Sequence, residues 1–126
     1  MTLSALLLRV STVLLLVGLL MGIGMAMHHD FRLAPTHAHL NLIGFVIMFG
    51  AGLYYRVVPA AETMVLAKAH AYLHIVAAIV LPIGIAMVTV VNHSYEFIAI
   101  IGSLIFLLAI VLFAVVVYRT TGKAAA

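Results

Sequence analysis

The chain has 126 residues, of which 67% are hydrophobic and only 7% are charged, and its mean hydropathy is +1.37. Soluble globular domains carry about 25% charged residues, so this composition excludes a large water-soluble domain. The net charge of +3 comes from six basic and three acidic residues scattered singly along the chain. That scatter excludes the clustered basic face of a nucleic-acid-binding protein, so we expect no nucleic acid partner. The length fits a single domain, residues 1–126, made almost wholly of membrane spans.

Four apolar stretches are each long enough to cross the hydrocarbon core of a bilayer. They cover approximately residues 4–27, 36–58, 63–91 and 95–118. Because backbone polar groups find no water in lipid, stretches of this length are expected to be helical. The connections between them are short, so consecutive helices are antiparallel neighbours. The sequence therefore predicts an all-α fold, an integral membrane up-down four-helix bundle.

The distribution of basic residues predicts the orientation of these spans. With both termini cytoplasmic, five basic residues face the inside of the cell: Arg9, Arg56, Lys68, Arg119 and Lys123. Only Arg32 then lies on the outer side. Basic residues concentrate in cytoplasmic loops, so this asymmetry favours that orientation. We expect a multi-pass protein of the cell inner (cytoplasmic) membrane with both termini cytoplasmic.

The second span opens with the sequence THAHLN, in which His37 and His39 are separated by one residue. At about 100° per residue the two imidazoles point roughly 200° apart, so they are expected to serve two sites on opposite faces. His37 and Asn41 share a face, which makes Asn41 a candidate hydrogen-bond partner of an imidazole or of a bound ligand. The alternative is that both histidines only face lipid headgroups at the start of the helix.

The third span carries His70 and His74, which lie one turn apart on one helix face. This spacing suits either two ligands of one metal ion or two structural polar contacts, such as an interhelical hydrogen bond from His74 to a threonine or tyrosine. The chain has no cysteine. Imidazole without thiolate suits haem iron, copper or zinc, and the spacing alone does not choose among them.

Three smaller features predict packing and surface contacts. Gly18 and Gly22 form a small-xxx-small pair, which either lets another helix approach closely or is only the ordinary composition of a membrane span. Pro82 is expected to kink the third helix, because it lacks the backbone N–H that a helix uses. Asp30 and Arg32 are expected to form a surface ion pair in the first connection.

The stretch THAHLNLIGF, residues 36–45, continues to GLYYRVVP, which ends at Pro59. It resembles the tenth helix of the catalytic subunit of haem–copper oxidases and nitric oxide reductases, where His-x-His opens the helix on the outer side and a proline ends it. The resemblance implies that His37 faces a high-spin haem and His39 a low-spin haem, and it makes His70 and His74 loose analogues of copper ligands. That subunit has three four-helix units, so the resemblance also implies a homotrimer with haems between protomers.

We therefore expect a membrane-embedded b-type haem protein, similar to oxidase subunit I, for electron transfer or for binding oxygen or nitric oxide. The expected cofactor is haem b, with copper as a further candidate metal. The expected partners are the lipid bilayer, further copies of the chain and a respiratory-chain electron donor. The candidate cofactor and metal ligands are His37, His39, His70 and His74, and no catalytic residue is assigned.

Two alternatives remain open from the sequence. The first is a non-haem copper or zinc binder whose entry site is formed by four histidines: His28, His29, His37 and His39. The second is a cofactor-free accessory subunit of a respiratory complex, in which the histidines only form hydrogen bonds.

Overall fold

The computed structural model describes residues 1–122, so Lys123, used above for the orientation, lies outside the described residues. Four long helices make up most of this part of the chain: α1 (Leu3–His28), α2 (Ala34–Val57), α3 (Val65–Val90) and α4 (Glu96–Thr121). A single helical turn, Pro59–Glu62, joins α2 to α3, and a 3-10 turn, His93–Tyr95, precedes α4. The prediction of an all-α four-helix membrane bundle is confirmed, and each observed boundary differs from the predicted one by at most three residues.

All four helices are long and apolar enough to cross a membrane. Their outer surfaces carry many large exposed hydrophobic side chains, among them Leu20 and Leu104, which are 69% and 60% exposed. Such surfaces are stable only in contact with lipid or another apolar partner. The chain is therefore a multi-pass membrane protein.

The helices pack in sequence order: α1 lies against α2, α2 against α3, and α3 along the length of α4. Glycines permit the closest of these contacts, between α3 and α4. A Cβ on Gly102 would lie 2.7 Å from Cα of Leu81, and one on Gly84 would overlap the backbone of Ala99. Because a side chain at either position would push the helices apart, these glycines fix the α3–α4 distance.

Two hydrogen bonds fasten the end of the bundle that carries the start of α1 and the end of α4. The backbone N–H of Ser4 donates to Oε1 of Glu62 across 2.7 Å. The carboxylate thus satisfies a free N–H at the start of α1, where negative charge is favourable. The Tyr54 hydroxyl donates to Oγ1 of Thr120 across 2.5 Å and links α2 to α4.

Helix α2 departs from regular α geometry in its middle. The stretch Leu42–Ile47 is π-helical, with α-helical segments on both sides of it. Helix α3, in contrast, continues without a break through Pro82. Short π-helical turns are rare in proteins, and those that do occur are often found at functional sites. The π-helical stretch in the middle of α2 therefore marks a candidate functional region.

Candidate functional site

A chain of hydrogen bonds crosses the buried centre of the bundle between α2 and α3. The Tyr55 hydroxyl lies 2.8 Å from Nδ1 of His70, and Nε2 of His70 lies 3.1 Å from Nδ1 of His74. Nε2 of His74 lies 2.9 Å from the carbonyl oxygen of Ile43, inside the π-helical stretch. His70 and His74 therefore share one face as predicted, but the interhelical bond to a tyrosine belongs to His70, and His74 bonds a backbone carbonyl instead.

The donor and acceptor of each of these hydrogen bonds follow from the last acceptor in the series, the Ile43 carbonyl oxygen. A carbonyl oxygen only accepts, so His74 carries its proton on Nε2 and its Nδ1 accepts. With both rings neutral, His70 then donates from Nε2 to His74 and accepts at Nδ1 from the Tyr55 hydroxyl. The neutral forms are the favourable ones because both imidazoles are 0% exposed in an apolar region. The order of donors is therefore Tyr55, His70, His74 and finally Ile43 as acceptor.

Aromatic rings enclose this buried pair. The ring of Phe113 stacks on His70 at a centroid distance of 4.8 Å, and Phe106 meets His74 edge-on at 5.3 Å. All four ring nitrogens are hydrogen-bonded, so a metal ion could bind here only by displacing one of these contacts. Within residues 1–122, no group of three or more histidine or acidic side chains is placed to hold a metal ion. The proposed ligand role of His70 and His74 stays a prediction.

His37 lies against α1. Its Nδ1 donates to the carbonyl oxygen of Gly18 across 2.8 Å, and Nδ2 of Asn41 lies 3.2 Å from Nε2, which accepts. The expected Asn41–His37 hydrogen bond is therefore confirmed. A Cβ on Gly22 would lie 2.9 Å from Cε1 of His37, and one on Gly18 would overlap the amide of Asn41. The predicted small-residue pair thus makes the space in which the two polar side chains pack.

Two buried oxygens flank this contact without a hydrogen-bond partner in the described part of the chain, Oγ1 of Thr36 and Oδ1 of Asn41. Unpaired polar atoms inside an apolar bundle are costly. They lie on the same two turns of α2 as His37 and mark this end of the bundle as unusually polar.

His39 is exposed whereas His37 packs against α1, which fits the opposite faces that the spacing predicts. Nδ1 of His39 donates to the carbonyl oxygen of Pro35 across 2.8 Å. That bond fixes the tautomer, so Nε2 carries an unshared lone pair. Histidines that bind metals commonly donate their other ring N–H to a carbonyl in this way. Of the four predicted ligands, His39 is the one that has a ring nitrogen free to bind.

The other polar residues of the connections lie on the surface. His28, His29 and His93 are exposed. Asp30 and Arg32 form the expected ion pair, with 2.6 Å between Oδ2 of Asp30 and an Arg32 guanidinium nitrogen. Hydrogen bonds from Arg32 lower the pKa of Asp30 to about 2.

Apart from Asn41 beside His37, sequence reasoning did not identify the residues whose hydrogen bonds orient these histidines. Tyr55 stood in the quoted motif GLYYRVVP, and its neighbouring tyrosine made it hard to single out. The three carbonyl acceptors, of Gly18, Pro35 and Ile43, carry no signal in the sequence because every residue has a carbonyl.

Comparison with protein-family models, curated proteins and solved structures gives no match to this chain. The function is therefore argued from the chemistry of these side chains.

Proposed function

We propose that this membrane protein binds b-type haem on its surface, with Nε2 of His39 as an axial ligand, and that it serves in electron transfer or in binding a diatomic gas. The observation that carries the proposal is the exposed His39 imidazole, whose Nδ1–H is held by the carbonyl of Pro35 while Nε2 stays free. A fixed tautomer with an outward lone pair is the state that an axial imidazole needs. The resemblance to the oxidase helix is part of this proposal and supports the same residue.

The surface beside His39 suits a flat apolar cofactor. Leu42 and Val46 follow His39 along the exposed side of α2, and they are 50% and 58% exposed. Haem bound at His39 supplies one-electron redox chemistry and, when one axial position stays open, a site for oxygen or nitric oxide. The chain itself supplies the axial nitrogen, its orientation and an apolar surface.

A second axial ligand for haem at His39 would come from another protein chain, because the other candidate histidines have both ring nitrogens hydrogen-bonded. His37 is hydrogen-bonded to the Gly18 carbonyl of α1, and His70 and His74 are buried. We propose two arrangements for the two functions: for electron transfer, His39 of a second copy would fill the other axial position across a twofold interface, whereas in the trimer that the resemblance implies that position would stay open for a gas ligand. The electron donor is then a component of the respiratory chain.

The membrane and the orientation belong to the same proposal. With both termini in the cytoplasm, the basic residues follow the positive-inside rule, and His39 lies near the outer surface of the inner membrane.

A cofactor-free accessory subunit is the second candidate function. The complete hydrogen bonding of His70 and His74 favours it, since these two imidazoles hold α2 to α3 without any bound group. Copper or zinc is a weaker alternative, because His37 and His39 point to opposite sides and no third ligand lies nearby among residues 1–122.

The test is the reduced-minus-oxidised absorption spectrum of the protein purified in detergent from haem-replete cells, with metal analysis of the same sample. We expect sharp α and Soret bands that His39→Ala abolishes without loss of folded protein. The matched control is His93→Ala, another exposed histidine, which should keep the bands. Absence of haem from the unmodified protein, or bands that survive His39→Ala, would contradict the proposal. Stoichiometric copper or zinc without these bands would favour metal handling.

A further inference from the structure

We propose that His74 is a positioning residue: by donating to the carbonyl of Ile43 it holds the π-helical stretch of α2, and this stretch sets the side of the bundle to which His39 points. The helix geometry stands independently of cofactor binding. Only the consequence for a bound haem rests on the function proposed above.

The burial pattern of α2 fits the π-helical stretch. Thr36 and Tyr55 are 3% and 0% exposed, and they stand 19 residues apart on opposite sides of Leu42–Ile47. In a regular α-helix this separation leaves the two side chains about 100° apart, because each residue turns the helix by about 100°. A π-helical turn contains one more residue than an α-helical turn. The extra residue cancels the rotation of about 100°, so Thr36 and Tyr55 lie on the same side of α2.

The extra residue of the π-helical turn also aligns a second pair of buried side chains in α2. Leu40 and Met48 are 6% and 0% exposed, and in a regular helix they would point about 80° apart. With the π-helical turn between them, both halves of α2 present one continuous buried face to the bundle. Without it, one half must turn relative to the other.

His74 forms a hydrogen bond to the backbone of α2 inside the π-helical stretch. Ile43 is its second residue, and the Ile43 carbonyl accepts Nε2–H of His74 across 2.9 Å. The donor is itself fixed, because His70 occupies Nδ1 of His74 and Tyr55 occupies Nδ1 of His70. Since π-helical turns are rarely stable alone, a buried donor from α3 at this carbonyl stabilises the π-helical form over the regular one.

The direction of His39 follows from this geometry. Its turn of α2 lies just before the π-helical stretch, while Tyr55 packs in the core about two helical turns beyond it. If α2 became regular and Tyr55 kept its place, His39 would turn by about 100° around the helix axis. The free Nε2 would then face a different side of the bundle, away from the surface on which we place the haem.

The experiment measures this rotation directly and needs no haem. The chain has no native cysteine, so spin labels can be placed at Ala38→Cys and Val57→Cys alone. Both positions are exposed, and they lie 19 residues apart across the stretch, on the same side of α2 in this structure. We expect His74→Leu to lengthen the distance between the labels by about 4 Å, because the second label turns by about 100°. His74→Gln, which keeps an N–H donor, should preserve the original distance.

Deletion of Val46 supplies the decisive control. Removing one residue from the π-helical stretch leaves 18 residues between the labels, which is a whole number of regular turns. The deletion therefore aligns both halves without a π-helical turn. In the chain that lacks Val46, we expect His74→Leu to leave the label distance unchanged and to restore folding if the single variant fails to fold.

An unchanged distance in folded His74→Leu would overturn the proposal, as would failure of the Val46 deletion to restore the distance or the fold. Nitrogen NMR on labelled histidine gives a further check in the unmodified protein, where His74 must carry its proton on Nε2. Haem content is measured separately. A protein without haem would refute the proposed function and leave the label distances to decide the role of His74.

Discussion

Nε2 of His70 donates to Nδ1 of His74 across 3.1 Å, and both rings are completely buried among α2, α3 and α4. The pair ends on a tyrosine hydroxyl at one side and on a backbone carbonyl at the other, so neither ring leaves a polar atom unsatisfied. In a membrane such a chain links helices firmly, because lipid offers no competing hydrogen-bond partner.

Tyr55→Phe should destabilise the protein although it removes only one oxygen. The Nδ1 atom of His70 would lose its donor, and an unsatisfied buried acceptor costs about 1–3 kcal/mol. Unfolding in mixed detergent micelles measures the change. Tyr72→Phe is the matched control, because Tyr72 is 60% exposed and should give a change near zero. Equal stability of the two variants would argue against the hydrogen-bond chain.

Gly18→Ala should loosen the contact between α1 and α2. The new methyl group would overlap the Asn41 amide, and overpacking of this kind costs about 1–3 kcal/mol. Gly24→Ala is the control on the same helix: nothing lies within 4 Å of its Cβ position, and alanine favours the helix by about 0.5–1 kcal/mol. Opposite signs of the two changes in unfolding free energy are expected. Two changes of the same sign would be inconsistent with close packing at Gly18.

His29→Gly should stabilise the end of α1. His29 is the one residue other than glycine with a positive φ in the described chain, at 50°, and it follows the last residue of the helix. Left-handed backbone costs a residue with a side chain about 1–2 kcal/mol, of which part is offset by the greater flexibility of glycine in the unfolded chain. His29→Ala keeps the strain and should bring no gain. An alanine variant as stable as the glycine variant would contradict this account.

The Asp30–Arg32 pair should titrate at low pH. Hydrogen bonds from Arg32 lower the pKa of Asp30 to about 2, so the pair stabilises the connection above the ordinary aspartate pKa. This stabilisation is lost as the pH falls through about 2. Carbon NMR of the Asp30 carboxyl group measures the midpoint directly. In Arg32→Gln the midpoint should rise towards the ordinary aspartate value, and an unchanged midpoint would remove Arg32 as the cause.

The sequence by itself determined the architecture of this protein. Apolar stretches of span length leave the backbone no choice but helix in lipid, and short connections force antiparallel neighbours, so the four helices and their limits were predictable. Local spacing was equally reliable within one helix: it placed His37 and His39 on opposite faces, joined Asn41 to His37, and put His70 beside His74.

Only the tertiary structure decided which groups of other helices His37 and His74 bond. His37 meets the Gly18 carbonyl of α1, and His74 meets the Ile43 carbonyl of α2, and such backbone acceptors leave no trace in the order of residues. The π-helical stretch could not be predicted from the sequence either, because helical periodicity assumes a constant rotation per residue. Which imidazole keeps a free nitrogen depends on these contacts between helices, and they leave His39 as the free one among the four predicted ligands.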